Sequence, residues 1–478
     1  MDKSLSDVET LLLDAFRRAA SDVPGYGVLL EEQGVHADNI VDITSFSNFC
    51  PLLTKDNTFN RFSLEQLCAG GSLGDLADVL TSSGHGGQFS FGVMNRKQAS
   101  VQTHFIDQAF DAAFQIKARS TLTINCLPMG VGFSSERMTI ASTSVREDMA
   151  VALVQAFGQH YEQIVLVGDP LFMKKLTEYA ITQGIDWGRY RINVVIGEEV
   201  FGEHFRGYLA KCLGLNPDHP ENGYILSSFG AGELGLHLCY ETPSTIALRR
   251  AAFKNRELAH DLLGVYDDEM AMPVIFTFNP LRTFIEIISP DQAGYGKMTV
   301  STLDSEVLIP LLRYQTGDIA CLLDPDIISE VVRRHGLALP GDLPQRLLAL
   351  RGRDKEMLPN GSHVGFYKDV LYADPLIARY LTGAFRLIFS GLEFTMHVQL
   401  ARTYKPHPSL QQGIRQAIPL AIRPLHVVLW PYDRYPFGMG LDYERKFSHY
   451  VPGELVLPEV GPELIPIGLA GEVSRHGC

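Results

Sequence analysis

The sequence predicts an α/β protein with a large N-terminal unit over residues 1–353 and a smaller α+β unit over 354–478. Three observations carry this reading. β-branched runs and helical stretches alternate between residues 160 and 215. Short strands without intervening helices fill residues 272–323. Helix and strand mix again beyond a charged stretch at 346–363.

Taken in chain order, MDKSLSDVETLLLDAFRRAA reads as an acidic amphipathic helix. It lacks the basic start and continuous apolar stretch of a signal peptide. IVLVGDP (164–170) is a β-branched run ending in a turn, and LFMKKLTEYAITQG follows as a helix. RINVVIGEEV (191–200) and FGEHFRGYLAKCLGL repeat the pattern. Units of this length build a parallel sheet with helices on its faces. Ligands of such sheets gather at the carboxyl ends of the strands. PVIFTFNP, TFIEIISP, GKMTVSTL and VLIPLLRYQTGDIACLLD then predict an antiparallel sheet or a barrel-like part. RLLALRGRDKEMLPNGSH (346–363) is charged, ends in a Pro-Asn-Gly turn and reads as a boundary. LIARYLTGAFRLIF and the strand HVVLW lie in the mixed segment after it. VPGELVLPEVGPELIPIG reads as a loosely packed Pro- and Gly-rich tail.

Composition narrows the function. With 46% hydrophobic and 20% charged residues, there is no room for a long disordered tract. The net charge of −14 argues against a protein that coats nucleic acid or an anionic membrane. No apolar run reaches the roughly 18 residues of a spanning helix. The seven cysteines are scattered, odd in number and form no CxxC pair, which predicts reduced thiols, a cytoplasmic enzyme and no zinc site.

Four segments carry candidate chemistry. TSSGHGGQFS holds Ser82, Ser83, Gly84, His85, Gly86 and Gly87, hydroxyls and backbone N–H groups suited to a phosphate. It lacks the lysine of a P-loop and, taken alone, reads rather as an ordinary flexible turn. SSFGAGELG (227–235) presents Glu233 after a Gly-rich turn; RYQTGDI (313–319) places Asp318 just after a turn at the end of a strand. LRGRDKEML (350–358) places Arg353 at the boundary. Each has a plainer reading: a turn residue for Asp318, a solvated carboxylate for Glu233, a solvated charge run for Arg353.

Together, their order and spacing resemble the adenylate-forming (acyl-CoA synthetase) superfamily, in its phenylacetate–CoA ligase-like branch. The phosphate loop there reads much like SSGTTGKPT, against SSGHGGQFS at 82–90; the YG-x-S/T-E turn corresponds to Phe229-Gly230-Ala231-Gly232-Glu233. YRTGD corresponds to Tyr314-Gln315-Thr316-Gly317-Asp318, and GR-x-D to Gly352-Arg353-Asp354-Lys355. The resemblance covers roughly residues 15–360 and implies an adenylation domain followed by a small mobile C-terminal lid. It implies ATP, Mg²⁺ and CoA as cofactors, with Gly230 beside the nucleotide, Glu233 as metal ligand, and Asp318 and Arg353 at the ribose or α-phosphate. Lys355 falls on the hinge. Lys446 in GMGLDYERKFSHY is the candidate for the lysine that reaches the acyl-phosphate oxygens, the plainer reading being a pairing with Glu444 or Asp442.

The sequence also departs from the family. Gln88 stands where the loop lysine is usual, and a lysine about 4 Å from a phosphate oxygen is worth on the order of 4 kcal/mol at an effective dielectric of ~20. His85, protonated against the phosphates, is the candidate substitute. The departures suit a specialised enzyme, as in antibiotic biosynthesis; the alternative is a non-catalytic homologue that binds nucleotide or carboxylate. NCLPMGVGFSS (125–135) aligns with the family's acid pocket, and Leu127, Met129, Phe133 and Phe229 imply an apolar site for an aromatic or fatty acid. CoA is the default acceptor. A carrier protein, an amine, or Cys478 in the manner of acyl-protein synthetases are the others. The oligomeric state stays open, a dimer being compatible with the resemblance.

Overall fold

Where the sequence offers uninterrupted β-branched and aliphatic runs, the chain forms strands buried at every position, as in Gln163–Gly168 and Ile192–Ile196. Such strands need cover on both faces, and flanking helices supply it. The computed structural model describes residues 3–81, 90–128, 130–218, 223–264, 271–438, 443 and 447–454.

In chain order, β1 (Leu76–Thr81) and β2 (Phe91–Asn95) form an antiparallel hairpin. β3 (Thr121–Asn125), β4 (Thr139–Ser142), β5 (Gln163–Gly168), β6 (Ile192–Ile196) and β7 (Ile225–Ala231) pair in parallel in the order β4-β3-β5-β6-β7. From β7 the pairing turns antiparallel through β8 (Gly235–Tyr240), β9 (Val274–Phe278), β13 (Leu347–Arg353), β12 (Tyr314–Leu323), β11 (Gly296–Thr302) and β10 (Thr283–Ile288), completing one eleven-stranded sheet. A three-stranded sheet follows, of β14 (Leu381–Ser390), β15 (Glu393–Leu400) and β16 (His426–Trp430).

The predicted strand–helix alternation is present. Asp169 caps the helix Pro170–Thr182 by accepting from the N–H groups of Leu171 and Phe172. The helix Glu203–Leu213 follows β6 and ends on Gly214 at φ 68, a left-handed stop that glycine adopts without strain. The N-terminal segment forms the helix Lys3–Asp22 and buries Val8, Leu12, Phe16 and Ala19 at helical spacing.

Two expectations are corrected. Among the described residues the antiparallel strands close no barrel: β8 pairs with β7, so the antiparallel half extends the parallel one and ends at β10. Residues 307–313 are irregular, with Pro310 unable to donate to a ladder, and the strand begins only at Tyr314. The first part of 346–363 is a largely buried strand, Leu347–Arg353, between β12 and β9.

One apolar cluster spans residues on both sides of 353. Phe172, Phe205 and Leu209 from helices of the parallel half share it with Tyr367, Tyr372 and Phe385. Each such fully buried large side chain contributes roughly 1.5–3 kcal/mol.

Candidate functional site

β7 marks the change from parallel to antiparallel pairing, the position where α/β sheets leave a crevice at their strand ends. Its approach is fixed by buried charge. Arg206 bonds both Glu203 and Glu241 and donates to the Ile225 carbonyl, while Glu241 accepts from the Ser227 N–H at 2.7 Å. Arg249 adds a 3.1 Å contact to Glu203. Buried charges persist only when paired and hydrogen-bonded in this way.

Beyond Ser227 the strand opens onto a cleft of about 410 Å³, bordered by Phe229, Gly230, Asp318, Arg353 and Lys355. Asp318 does not follow the end of a strand, as expected, but sits inside β12. Lys297 pairs with Ile319 and Thr299 with Gln315, so residues 316–318 bulge out of the ladder with β11. Gly317 takes φ 81 there, which explains a glycine at the bulge. Asp318 is buried and is the register partner of Arg353 across β12 and β13.

Gly352, at φ 125, lets His363 pack against the same backbone; a Cβ there would lie 2.8 Å from His363 Cε1. His363 Nδ1 accepts from the Gly365 N–H at 3.0 Å, so its Nε2 carries the proton and donates to the Arg353 carbonyl at 3.1 Å. Burial pushes the imidazole pKa down despite Glu356 nearby, which favours this neutral form.

The opposite wall comes from the loop after β6 and from residues after 353. Glu198 has φ 67, an uncommon value for a residue with a side chain. Lys368 places Nζ 3.0 Å from Glu199 and 3.1 Å from Glu356. Burial alone would lower its pKa, but the two carboxylates outweigh it and raise it. His449 also borders the cleft; its Nδ1 donates to the Phe385 carbonyl at 3.0 Å, leaving Nε2 as the acceptor nitrogen. Burial, then the charge of Lys368, pushes its pKa down to about 3.

Glu233 stands one turn away, between β7 and β8. Ser90 Oγ donates to one carboxylate oxygen at 3.0 Å and Tyr314 Oη to the other at 2.7 Å. The β1–β2 hairpin lies directly on this turn: a Cβ on Gly92 would come 1.9 Å from the Gly232 carbonyl oxygen. The turn and hairpin are therefore locked together by a contact that only glycine permits.

The structure thus gathers Phe229, Gly230, Asp318, Arg353 and Lys355 around one cleft, with Glu233 at a smaller neighbouring cavity. Leu127 and Phe133 are elsewhere, packed with Ile106 and Phe110 on a face of the parallel sheet. Ser82, Ser83, Gly84, His85, Gly86, Gly87, Gln88, Met129, Lys446 and Cys478 lie outside the described residues. Sequence reasoning missed Glu198, Glu199, Lys368 and His449. The acidic pair ends a predicted parallel strand, where ligand contacts are expected; Lys368 and His449 carry no such signal.

No protein-family model and no curated protein matches the chain in sequence. Solved structures do match in shape. 2-Hydroxyisobutyryl-CoA ligase in its postadenylation state, in complex with R3-HIB-AMP, gives a TM-score of 0.64 at 11% identity, covering 93% of this chain and 88% of that one. An open conformation of the same ligase with 2-HIB-AMP and CoA gives 0.54 at 12%, covering 93% and 90%. Its thioesterification state gives 0.53 at 12%, covering 94% and 90%. The chain has the fold of this adenylate-forming ligase.

Proposed function

We propose that this chain is an AMP-forming acid–thiol ligase: it activates a carboxylic acid with ATP and passes the acyl group to the thiol of CoA. The observation that carries this reading is the convergence of Asp318 and Arg353, register partners on adjacent strands, with Phe229 and Gly230 at one cleft. The cleft's size suits a nucleotide, within the range of small-molecule sites.

In the proposed reaction a carboxylate oxygen attacks the α-phosphorus of ATP, pyrophosphate leaves, and an acyl-adenylate forms. The thiol sulfur then attacks the acyl carbon, its proton passes to solvent, and AMP leaves. Little covalent chemistry falls to the protein, so positioning and charge dominate. Asp318 accepts hydrogen bonds from the ribose hydroxyls, and Arg353 offers its guanidinium to the ribose or α-phosphate. On this reading Lys355 is the hinge and Lys446 the lysine that meets the acyl-phosphate. Phe229 borders the acyl group.

Glu233 fits a magnesium ion: it is a hard oxygen donor, and among the described residues one hydrogen bond reaches each of its oxygens, leaving lone pairs for a cation. Bound there with the nucleotide, Mg²⁺ would neutralise phosphate charge.

The test is ATP–pyrophosphate exchange against a panel of acids, with Asp318→Ala as control. Acid-dependent exchange that the control abolishes is the expected result. ATP binding without exchange for any acid would replace this proposal with a non-catalytic nucleotide-binding role. The absence of a loop lysine, with Gln88 in its place, favours that second reading.

A further inference from the structure

The Glu233 turn borders a second, smaller cavity of about 50 Å³, whose far side is formed by Gln98, Gln102, Arg282 and Asp304. Another of about 50 Å³ opens on the other flank of Arg282, beside Phe105 and Tyr240. Arg282 is held rigidly between them. Its Nη2 donates to Gln102 Oε1 at 2.9 Å, and the Gln102 amide donates to the Leu236 carbonyl at 3.2 Å, which turns the Gln102 oxygen toward the guanidinium. The guanidinium carbon lies 4.1 Å from the centre of the Phe105 ring.

What Arg282 lacks is a counter-charge. Among the described residues no carboxylate reaches ion-pair distance of it. Burial lowers its pKa, and the more distant Asp304 only partly opposes this. A guanidinium does not deprotonate in proteins, so a positive charge is kept beside this cavity with no carboxylate of the described residues at ion-pair distance, Asp304 and Glu233 bordering the same space farther off. That arrangement is suited to a carboxylate from outside the chain, bound by charge-assisted hydrogen bonds.

The cavity's size decides which anion. A single water needs about 10–15 Å³ of such space, so either cavity admits a group of a few heavy atoms such as a carboxylate. Its position decides the rest. Ser228, Phe229 and Gly230 border the large cleft, while Gly232 and Gly235 on the same hairpin border the small cavity. A short chain lying along that hairpin would have one end at the nucleotide cleft and the other toward Arg282.

We propose that the activated acid is a dicarboxylic acid whose distal carboxylate is bound by Arg282. This deepens the proposed ligase function and rests on it. It replaces the aromatic or fatty acid expected from residues 125–135, of which Leu127 is buried in an apolar cluster and Phe133 packs, partly buried, against it.

Titration calorimetry on the full chain, comparing glutarate with valerate and adipate with hexanoate, tests the site without turnover. The intact protein is expected to bind the dicarboxylate about ten- to a hundredfold more tightly than the monocarboxylate of equal length. Arg282→Gln should erase that preference, and Arg282→Lys should keep part of it, with thermal melts confirming that each variant folds. Equal affinity for both acids in the intact protein overturns the proposal even if neither variant folds. So does a preference that survives Arg282→Gln, or binding of inorganic phosphate but no dicarboxylate. Exchange assays on the same acids separate the two claims. Monocarboxylate-only exchange, unchanged in Arg282→Gln, sinks the dicarboxylate site and leaves the ligase standing. Arg282-dependent dicarboxylate binding without any exchange does the reverse.

Discussion

Tyr314 Oη donates to Glu233 Oε1 at 2.7 Å, joining the strand that carries Asp318 to the turn that carries the candidate magnesium ligand. Tyr314 is buried and packs edge-on against Phe59, so the donor has a fixed position. Burial, reinforced by the Glu233 charge, raises the phenol's pKa well above its usual value and keeps it a donor. Tyr314→Phe removes this bond and leaves Ser90 as the donor to Glu233 among the described residues. A hydrogen bond to a charged group contributes about 1.5–3 kcal/mol, so exchange activity should fall roughly ten- to a hundredfold, with more Mg²⁺ needed for half-maximal rate. Unchanged magnesium dependence in a folded Tyr314→Phe protein would show that the pair does not orient a metal ligand.

Gly317 isolates the role of the bulge. Its φ of 81 strains any residue with a side chain, yet nothing lies within 4 Å of where a Cβ would point. Gly317→Ala therefore tests backbone conformation without steric overlap. The cost should be about 1–2 kcal/mol in urea denaturation, with weaker ATP binding because Asp318 is displaced. A neutral effect on both would mean that Asp318 does not depend on the bulge.

What the sequence discloses about this site follows the range of the interactions. The bulge is legible in RYQTGDI because a local positive φ selects glycine next to the acidic residue. The parallel strands are legible because burial on both faces demands unbroken apolar runs. The facing of Asp318 and Arg353 arises from a pairing 35 residues apart in sequence, and no local pattern encodes it. Turn spacing also cannot say whether antiparallel strands curl shut or extend a neighbouring sheet, so the sequence leaves both an antiparallel sheet and a barrel open, and the open sheet is observed. Apolar residues such as Leu127 look the same in sequence whether they line a pocket or fill a core. Arg282 was overlooked because its isolation from carboxylates exists only in three dimensions.

Lys368 joins the loop after β6 to the segment after β13 through two carboxylates. Lys368→Met leaves Glu199 and Glu356 facing each other without the cation that binds both. Removing one partner of a buried ion pair costs about 3–5 kcal/mol, and that is the loss expected in a denaturation midpoint. Glu356→Gln should cost much less, because Lys368 keeps Glu199 and one negative charge is removed. The reverse order of stabilities would mean that Glu356, not Lys368, organises this wall.

Asp169 gives the fold a pH dependence of unusual sign for an aspartate. Its Oδ1 caps the helix Pro170–Thr182 through Leu171 N–H at 2.9 Å and Phe172 N–H at 3.1 Å. Its Oδ2 is buried with no hydrogen-bond partner among the described residues. Burial pushes the carboxyl pKa up to about 7; Glu199 and Glu198 add to the rise, and the capping bonds only partly oppose it. The folded state therefore holds this proton more tightly than the unfolded chain, whose aspartate titrates near 3.9. Its contribution is fully present below about pH 4 and is lost as pH rises toward 7, by about 1.4 kcal/mol per pH unit. Asp169→Asn retains the capping oxygen and cannot ionise. The variant should match the wild type at acid pH and exceed it by a few kcal/mol at pH 8 in urea titrations run at both values. The groups common to both proteins cancel in that difference. If the gap between the proteins does not widen with pH, Asp169 is not the group that makes the native state prefer a proton.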